Sequence, residues 1–299
     1  MNLKYYTNNI HKKKGNKQMK IGVTGATGQL GRLVVEKLKE KVSSESIVAL
    51  ARTPEKAADL GVEARAFNYA QPENLADSLV GIDKLLLISG NEIGQRLPQH
   101  IAVIQAAKQA GVKHIVYTSI LHADTSVLGL AGEHLATETA IKASGLAYTI
   151  LRNGWYTENY TGSAKGAIDA GTFIGCAGDG KIASAARVDY AEAAAIVLAG
   201  AGHENKIYEL AGDTAYTLIE LAAEISSQTK KTIPYNNLTE AQYADILKSF
   251  GLPEGIAQML ADSDTGASKG GLFDDTKQLS SLIGRPTTPL ATVVADAIA

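Results

Sequence analysis

The sequence predicts a doubly wound α/β fold built on a parallel sheet. Three observations carry this. Short β-rich runs recur with helical sequence between them, a glycine-rich turn joins the first run to the first helix, and near-continuous apolar stretches such as Leu85-Leu86-Leu87-Ile88 mark strands buried on both faces. The first strand is Lys20-Ile21-Gly22-Val23. The turn Thr24-Gly25-Ala26-Thr27-Gly28-Gln29-Leu30-Gly31 follows, and a charged, helix-forming stretch over residues 32–41 completes the unit. Further strands are expected at residues 46–51, 63–67, 84–89, 114–118 and 147–151. Past Arg152 the alternation ends, and residues 153–186, rich in glycine, tyrosine and small polar side chains, are expected to be loops. An alanine-rich helix over residues 190–199 and a strand at 206–210 rejoin the sheet. Helices expected over residues 218–228, 240–250, 255–261 and 275–282 make a smaller, mainly helical C-terminal lobe. The expected division is an N-terminal extension over residues 1–18, a dinucleotide-binding domain of 19–152 plus about 187–211, and a substrate lobe of 153–186 plus 212–299.

Glycines spaced G-x-x-G-x-x-G between a strand and a helix let the chain turn tightly, let its backbone approach a pyrophosphate, and let the helix pack on the strand. The helix N-terminus adds free N–H donors and a partial positive charge. This is a Rossmann-like dinucleotide site, to which Gly25, Ala26, Thr27, Gly28, Gln29, Leu30 and Gly31 contribute. Ligands in such sheets sit beyond the carboxyl ends of the strands, which adds Arg52, Ser89, Gly90, Thr118, Ser119, Asn153 and Gly154. Arg52 ends the second strand, where an NAD enzyme carries an acid for the ribose hydroxyl; a guanidinium suits the 2′-phosphate of NADP instead. The alternative for Arg52 is a solvated arginine ahead of Thr53-Pro54.

Composition narrows the function. The formal net charge is −2, and residues 1–18 carry five lysines and no acid, so the rest of the chain stands at −7 and repels nucleic acid. The lysine-rich stretch has no apolar core and reads as a disordered extension rather than a secretory signal. No apolar run approaches the roughly twenty residues that span a bilayer. Cys176 is the only cysteine, which excludes an intrachain disulfide and suits a reducing cytoplasm.

The catalytic pair of short-chain dehydrogenases, a tyrosine with a lysine one helical turn later, is missing. The corresponding stretch is Gly132-Glu133-His134-Leu135-Ala136-Thr137-Glu138, with histidine and glutamate in those places. His134 is either a proton relay or a packing residue. Without that pair, a strongly basic alkoxide has no proton source, so the acceptor must stabilise its own reduced anion. A quinone does so, because hydride transfer leaves an aromatic hydroquinone anion that water protonates. Asn153 and Tyr156, just past the sixth strand, are candidates for holding the nicotinamide carboxamide and the quinone, although Tyr156 serves equally well as a packed wall. The six histidines show no metal-ligand spacing, no G-x-S-x-G elbow is present, and Cys176 sits in small, apolar company. No metal or flavin is expected.

Several longer stretches extend the glycine motif. They are Lys84-Leu85-Leu86-Leu87-Ile88-Ser89, Tyr117-Thr118-Ser119-Ile120-Leu121-His122-Ala123-Asp124-Thr125, Leu151-Arg152-Asn153-Gly154-Trp155-Tyr156-Thr157-Glu158-Asn159, Gly178-Asp179-Gly180-Lys181-Ile182-Ala183-Ser184 and Ala267-Ser268-Lys269-Gly270-Gly271-Leu272-Phe273-Asp274-Asp275. Together with residues 24–31 they resemble the bacterial type 2 NAD(P)H:quinone oxidoreductases, in the NmrA-like, atypical branch of the short-chain dehydrogenases. The resemblance covers the chain after Met19 and implies NADPH without flavin and direct hydride transfer to a small-molecule quinone. It also implies that residues 153–158, namely Asn153, Gly154, Trp155, Tyr156, Thr157 and Glu158, border the nicotinamide and that Arg187 assists cofactor binding. Asn68 stands where relatives often place an aspartate near the adenine. The same branch contains triphenylmethane-dye reductases and NADP-binding regulators without turnover, which are the alternatives. The oligomeric state, monomer or homodimer, stays open.

Overall fold

Among the residues that the computed structural model describes, 18–299, nine strands form. They are β1 (Ile21–Thr24), β2 (Ile47–Ala51), β3 (Glu63–Ala66), β4 (Lys84–Leu87), β5 (His114–Ile120), β6 (Ala147–Asn153), β7 (Phe173–Gly175), β8 (Lys206–Leu210) and β9 (Tyr235–Asn237). The expected disordered extension over residues 1–18 lies, apart from Gln18, outside the described residues. Seven strands make one sheet in the order β3-β2-β1-β4-β5-β6-β8, with every pairing parallel. The order reverses between β1 and β4, which opens the ligand crevice beyond their carboxyl ends.

Alternation along the strands divides their side chains between two layers. Ile47 and Ala49 pack with Val34, Val35 and Leu38 of the helix Gln29–Lys39 and with the alanine-rich helix Arg187–Ala199. Val48, Leu50, Leu85 and Leu87 meet Leu75, Val103, Ile104, Ala107 and Ile141 on the opposite face. Burial on both faces is why these strands read as continuous apolar runs.

A separate core gathers Trp155, Tyr160, Phe173, Ile182, Tyr216, Leu218, Leu221, Leu272 and Val294. Residues 153–186 are not simply loops. They contain the helices Thr157–Thr161 and Ala164–Ala170 and the strand β7, which pairs in parallel with β9. A three-residue strand whose partner lies some sixty residues away leaves no local pattern. The helix expected over residues 255–261 runs Glu254–Ser268, because its polar second half is drawn inward: Asp264 is buried and Gly266 lies beneath Leu128. The helix expected from 275 begins at Gln278, after Lys277 adopts a left-handed φ of 56°. A final helix, Leu290–Ile298, has no counterpart among the expected elements.

The three motif glycines serve different ends. Gly25 has a φ of 58°. A Cβ on Gly31 would lie 2.2 Å from the Gly25 carbonyl oxygen, whereas one on Gly28 would meet only that oxygen, at 3.2 Å. Gly31→Ala is therefore expected to destabilise the protein by about 1–3 kcal/mol through overpacking, and Gly28→Ala by less. Urea unfolding of the two variants checks the order; equal stabilities would refute it.

Candidate active site

A cleft of about 750 Å³ opens at the carboxyl ends of β1, β2 and β4. Gly25, Thr27 and Gly28 form its floor, Arg52 and Lys56 stand at one end, and Ser89 and Gly90 form a wall. The helix Gln29–Lys39 starts at Gly28 with no side-chain cap, so its first amides are available to an anion. Ala26 and Leu30 turn their side chains into the core and offer only backbone, while Gln29 is exposed.

Three basic side chains line one end. Arg52 is 66% exposed and lies 3.7 Å from the Glu92 carboxylate across the cleft. Arg32 is held by Asp59 at 2.6 Å and by the Lys56 carbonyl oxygen at 2.6 Å. Arg32 and Lys56 are site residues that the sequence alone does not single out; the available signal is an arginine directly after Gly31. Phe67 and Tyr69 flank the same region edge to face, and the Asn68 carboxamide accepts the Ala70 amide.

The amides on the wall are already taken. The Ile88 N–H donates to Thr24 Oγ1, the Ser89 N–H to Thr118 Oγ1 and the Gly90 N–H to His100 Nε2, each at 2.9 Å. Thr118 is thereby placed behind the cleft wall, where its hydroxyl holds Ser89.

Asn153 ends β6 and residues 154–158 follow it, all away from the lining of this cleft. Asn153 is 5% exposed, and its Oδ1 is buried without a hydrogen-bond partner. Gly154 fits closely, since a Cβ there would lie 3.0 Å from the Tyr190 hydroxyl. Trp155 belongs to the second hydrophobic core. The Tyr156 ring stands edge-on to Tyr190 at 5.3 Å, with the Arg187 guanidinium 4.8 Å from its centre. Burial raises the Tyr156 pKa, while the Asn153 amide and the Arg187 cation draw it back. Thr157 Oγ1 joins Ser184 Oγ, which joins the Tyr216 hydroxyl. Both Glu158 oxygens accept the Arg187 N–H, capping the helix Arg187–Ala199.

The helix Ala131–Ala143 carries His134 and Glu138 inward. His134 Nδ1 meets the Tyr117 hydroxyl at 2.9 Å; burial, then the Arg96 cation, lower its pKa to about 3, so the ring is neutral and packed. Glu138 is fully buried and takes Arg152 in a bidentate pair at 2.9 Å, with the Ser119 hydroxyl at 2.7 Å. Burial pushes the Glu138 carboxyl up, but Arg152 and Ser119 outweigh it and hold it below the ordinary range. Cys176 Sγ donates to the Ala261 carbonyl oxygen, and burial with the nearby Asp264 charge pushes the thiol up to about 12. No cluster of three or more His, Cys, Asp and Glu able to hold a metal occurs among the described residues, and none of their helices is long and apolar enough to cross a membrane.

Residues 25–200 match a family model described as NAD(P)H-binding. Over 274 residues the chain is 60% identical to quinone oxidoreductase 2 of Escherichia coli, spanning 91% of this chain and 96% of that protein. The chain belongs to the NAD(P)H:quinone oxidoreductase 2 family. A crystal structure of the Escherichia coli NADPH-dependent quinone oxidoreductase of that family, complexed with NADPH, matches with a TM-score of 0.90 and 59% identity, covering 93% of this chain and all of that one. The NADP(H) complex of the Citrobacter triphenylmethane reductase matches at 0.89 and 40% identity, covering 93% and 99%. An NmrA-like oxidoreductase of Aspergillus flavus is 30% identical over 76% of this chain and 77% of that protein.

One buried acid beside this second core, Asp264, makes stability depend on pH. Asp264 accepts the Tyr160 hydroxyl and the Cys176 N–H, both at 3.0 Å, yet burial raises its pKa from 3.8 to about 6. A raised pKa means that the folded state holds the proton more tightly, so the stability it contributes is present below pH 3.8 and is lost as pH rises through about 6. Asp264→Asn is expected to abolish this loss, worth about 3 kcal/mol for a displacement of that size, leaving the variant more stable than the wild type at neutral pH. Unfolding curves across that range test it; parallel profiles for the two proteins would rule it out.

Proposed function

We propose that this chain is an NADPH-dependent quinone reductase that works without a flavin. The observation that carries this is the pairing of an uncapped glycine turn with the basic end formed by Arg52, Lys56 and Arg32, in a chain 60% identical to quinone oxidoreductase 2. NADPH fits these residues: the turn suits its pyrophosphate, the basic end its 2′-phosphate, and the unpartnered Asn153 Oδ1 the N–H of its carboxamide. Bound NADPH supplies the hydride that, with one proton, converts quinone to hydroquinone.

In this reading Gly25, Thr27 and Gly28, with the backbone of Ala26, Gln29, Leu30 and Gly31, hold the phosphates. Arg52 and Lys56 read the 2′-phosphate. Ser89 and Gly90, braced by Thr118, form the wall beside the cofactor. Asn153 orients the nicotinamide, and Tyr156, fixed by Tyr190 and Arg187, forms a face for the quinone. Gly154, Trp155, Thr157 and Glu158 hold that segment in place through their packing and hydrogen bonds. Residues 153–186 plus 212–299 cover the acceptor. Neither His134 nor Glu138 supplies the proton, since one is a neutral core ring and the other is locked to Arg152. Water protonates the product, and rate comes from orientation more than from acid catalysis. The inert Cys176 suits a reducing cytoplasm.

Purified protein mixed with NADPH and a panel of quinones should consume NADPH without a bound yellow chromophore. Stoichiometric binding with no oxidation would favour an NADP-binding regulator. Arg52→Ala should weaken NADPH by about tenfold, the low end for a charged hydrogen bond because the side chain is exposed, and leave NADH little changed. Equal weakening of both nucleotides would remove Arg52 from the phosphate. His134→Ala should change turnover by less than about tenfold, below the usual contribution of a general acid; a collapse confined to that variant would reinstate acid catalysis.

A further inference from the structure

The wall of the cleft contains one residue, Gly90, whose backbone is gripped on both sides. The Gly90 N–H donates to His100 Nε2 at 2.9 Å, and the Gly90 carbonyl oxygen accepts Arg96 Nε at 2.5 Å. Both partners come from the helix Arg96–Ala110, four residues apart and so on one face. Both are buried, Arg96 beside Glu133 at 3.9 Å.

A backbone N–H can only donate, so His100 Nε2 must carry a lone pair. A neutral ring with a lone pair on Nε2 has its proton on Nδ1. That nitrogen lies 3.0 Å from Thr137 Oγ1, and the Thr137 hydroxyl in turn donates to the Glu133 carbonyl oxygen at 2.9 Å. The hydroxyl hydrogen is thereby committed, and Oγ1 can accept from Nδ1. The chain of donors runs one way, from Gly90 through His100 and Thr137 to Glu133. Burial, then the Arg96 charge, lower the His100 pKa to about 4, which keeps the ring in the accepting form at neutral pH. The rings of Tyr69 and Tyr117 stand edge-on to the imidazole at 6.0 and 5.5 Å and fix its plane.

We propose that His100 and Arg96 are positioning residues for the cofactor, and that Thr137, which does not line the cleft, sets the cleft wall by anchoring the Nδ1–H of His100 and so holding the ring against Gly90. This rests on the reading of the cleft as the NADPH site. Replacing Thr137 with valine leaves Nδ1–H with no acceptor in a buried place. The ring can relieve that unsatisfied donor only by turning or shifting toward another acceptor, which breaks the Nε2 contact with the Gly90 N–H and releases that peptide from its place.

Two measurements test this. Nitrogen-15 NMR of the histidines in the wild-type protein without nucleotide should show His100 neutral and protonated at Nδ1 at neutral pH. A charged ring or an Nε2–H tautomer overturns the proposal whatever the cleft binds. Nucleotide titration and steady-state kinetics should show Thr137→Val raising the NADPH Kd by about fivefold or more, in line with a buried donor left unsatisfied, with the loss falling on KM rather than kcat. His100→Gln, whose amide can both accept from Gly90 and donate onward, should bind NADPH more tightly than His100→Ala, and Thr137→Val should matter less in the His100→Gln background. A folded Thr137→Val protein with unchanged NADPH affinity overturns the proposal. The wild-type titration run beside it tests the cofactor reading separately.

Discussion

The pair between Arg152 and Glu138 is the constraint around which this molecule is arranged. A guanidinium on a residue only 4% exposed is held bidentately by a carboxylate with no exposure at all, and its remaining nitrogen reaches Glu209 at 2.7 Å and Asp124 at 3.0 Å. The four side chains come from β6, the helix Ala131–Ala143, β8 and the segment after β5, and Ser119 adds β5 itself. Burying such a pair is not a net source of stability, but removing one member leaves an uncompensated buried charge, at about 3–5 kcal/mol. The geometry required by a planar fork against a carboxylate therefore sets how three strands and a helix meet at the end of the sheet where ligands bind.

The glycine motif, the apolar strands and the capped helices are local patterns. The helices Leu218–Thr229 and Glu240–Ser249 each open with a capping box, Thr217 with Glu220 and Thr239 with Gln242, and their bounds agree with the sequence pattern to within about a residue. Gly25, Thr27 and Gly28 follow from the glycine motif and Arg52, Ser89 and Gly90 from strand ends, and all six meet in one cleft. The parallel pairing of β7 with β9, the inward turn of Asp264 and the convergence of Arg32 and Lys56 on Arg52 depend on contacts between distant segments. No window of neighbouring residues contains them. His134 and Glu138 are visible in the sequence as departures from a tyrosine–lysine pair, but only the fold shows that both are consumed by the core.

The cleft is built rather than closed over its ligand. Successive amides at Ile88, Ser89 and Gly90 are tied to β1, β5 and the helix Arg96–Ala110, so the wall cannot move without those elements. A site whose peptides are already satisfied needs little rearrangement when a ligand arrives, and the ordering cost of binding is correspondingly low.

The ion pair between Arg52 and Glu92 gives this cleft a further property. The two side chains stand on opposite banks, 3.7 Å apart, and Glu92 is anchored to Gln99 at 2.7 Å. The arginine thus already has an anion of its own. If the 2′-phosphate binds Arg52 as proposed, it meets a tethered carboxylate there, while a nucleotide lacking that phosphate leaves the pair intact. In the proposed reading, selectivity at this corner becomes an exchange of counterions, in which the phosphate takes the place of a solvent-exposed carboxylate.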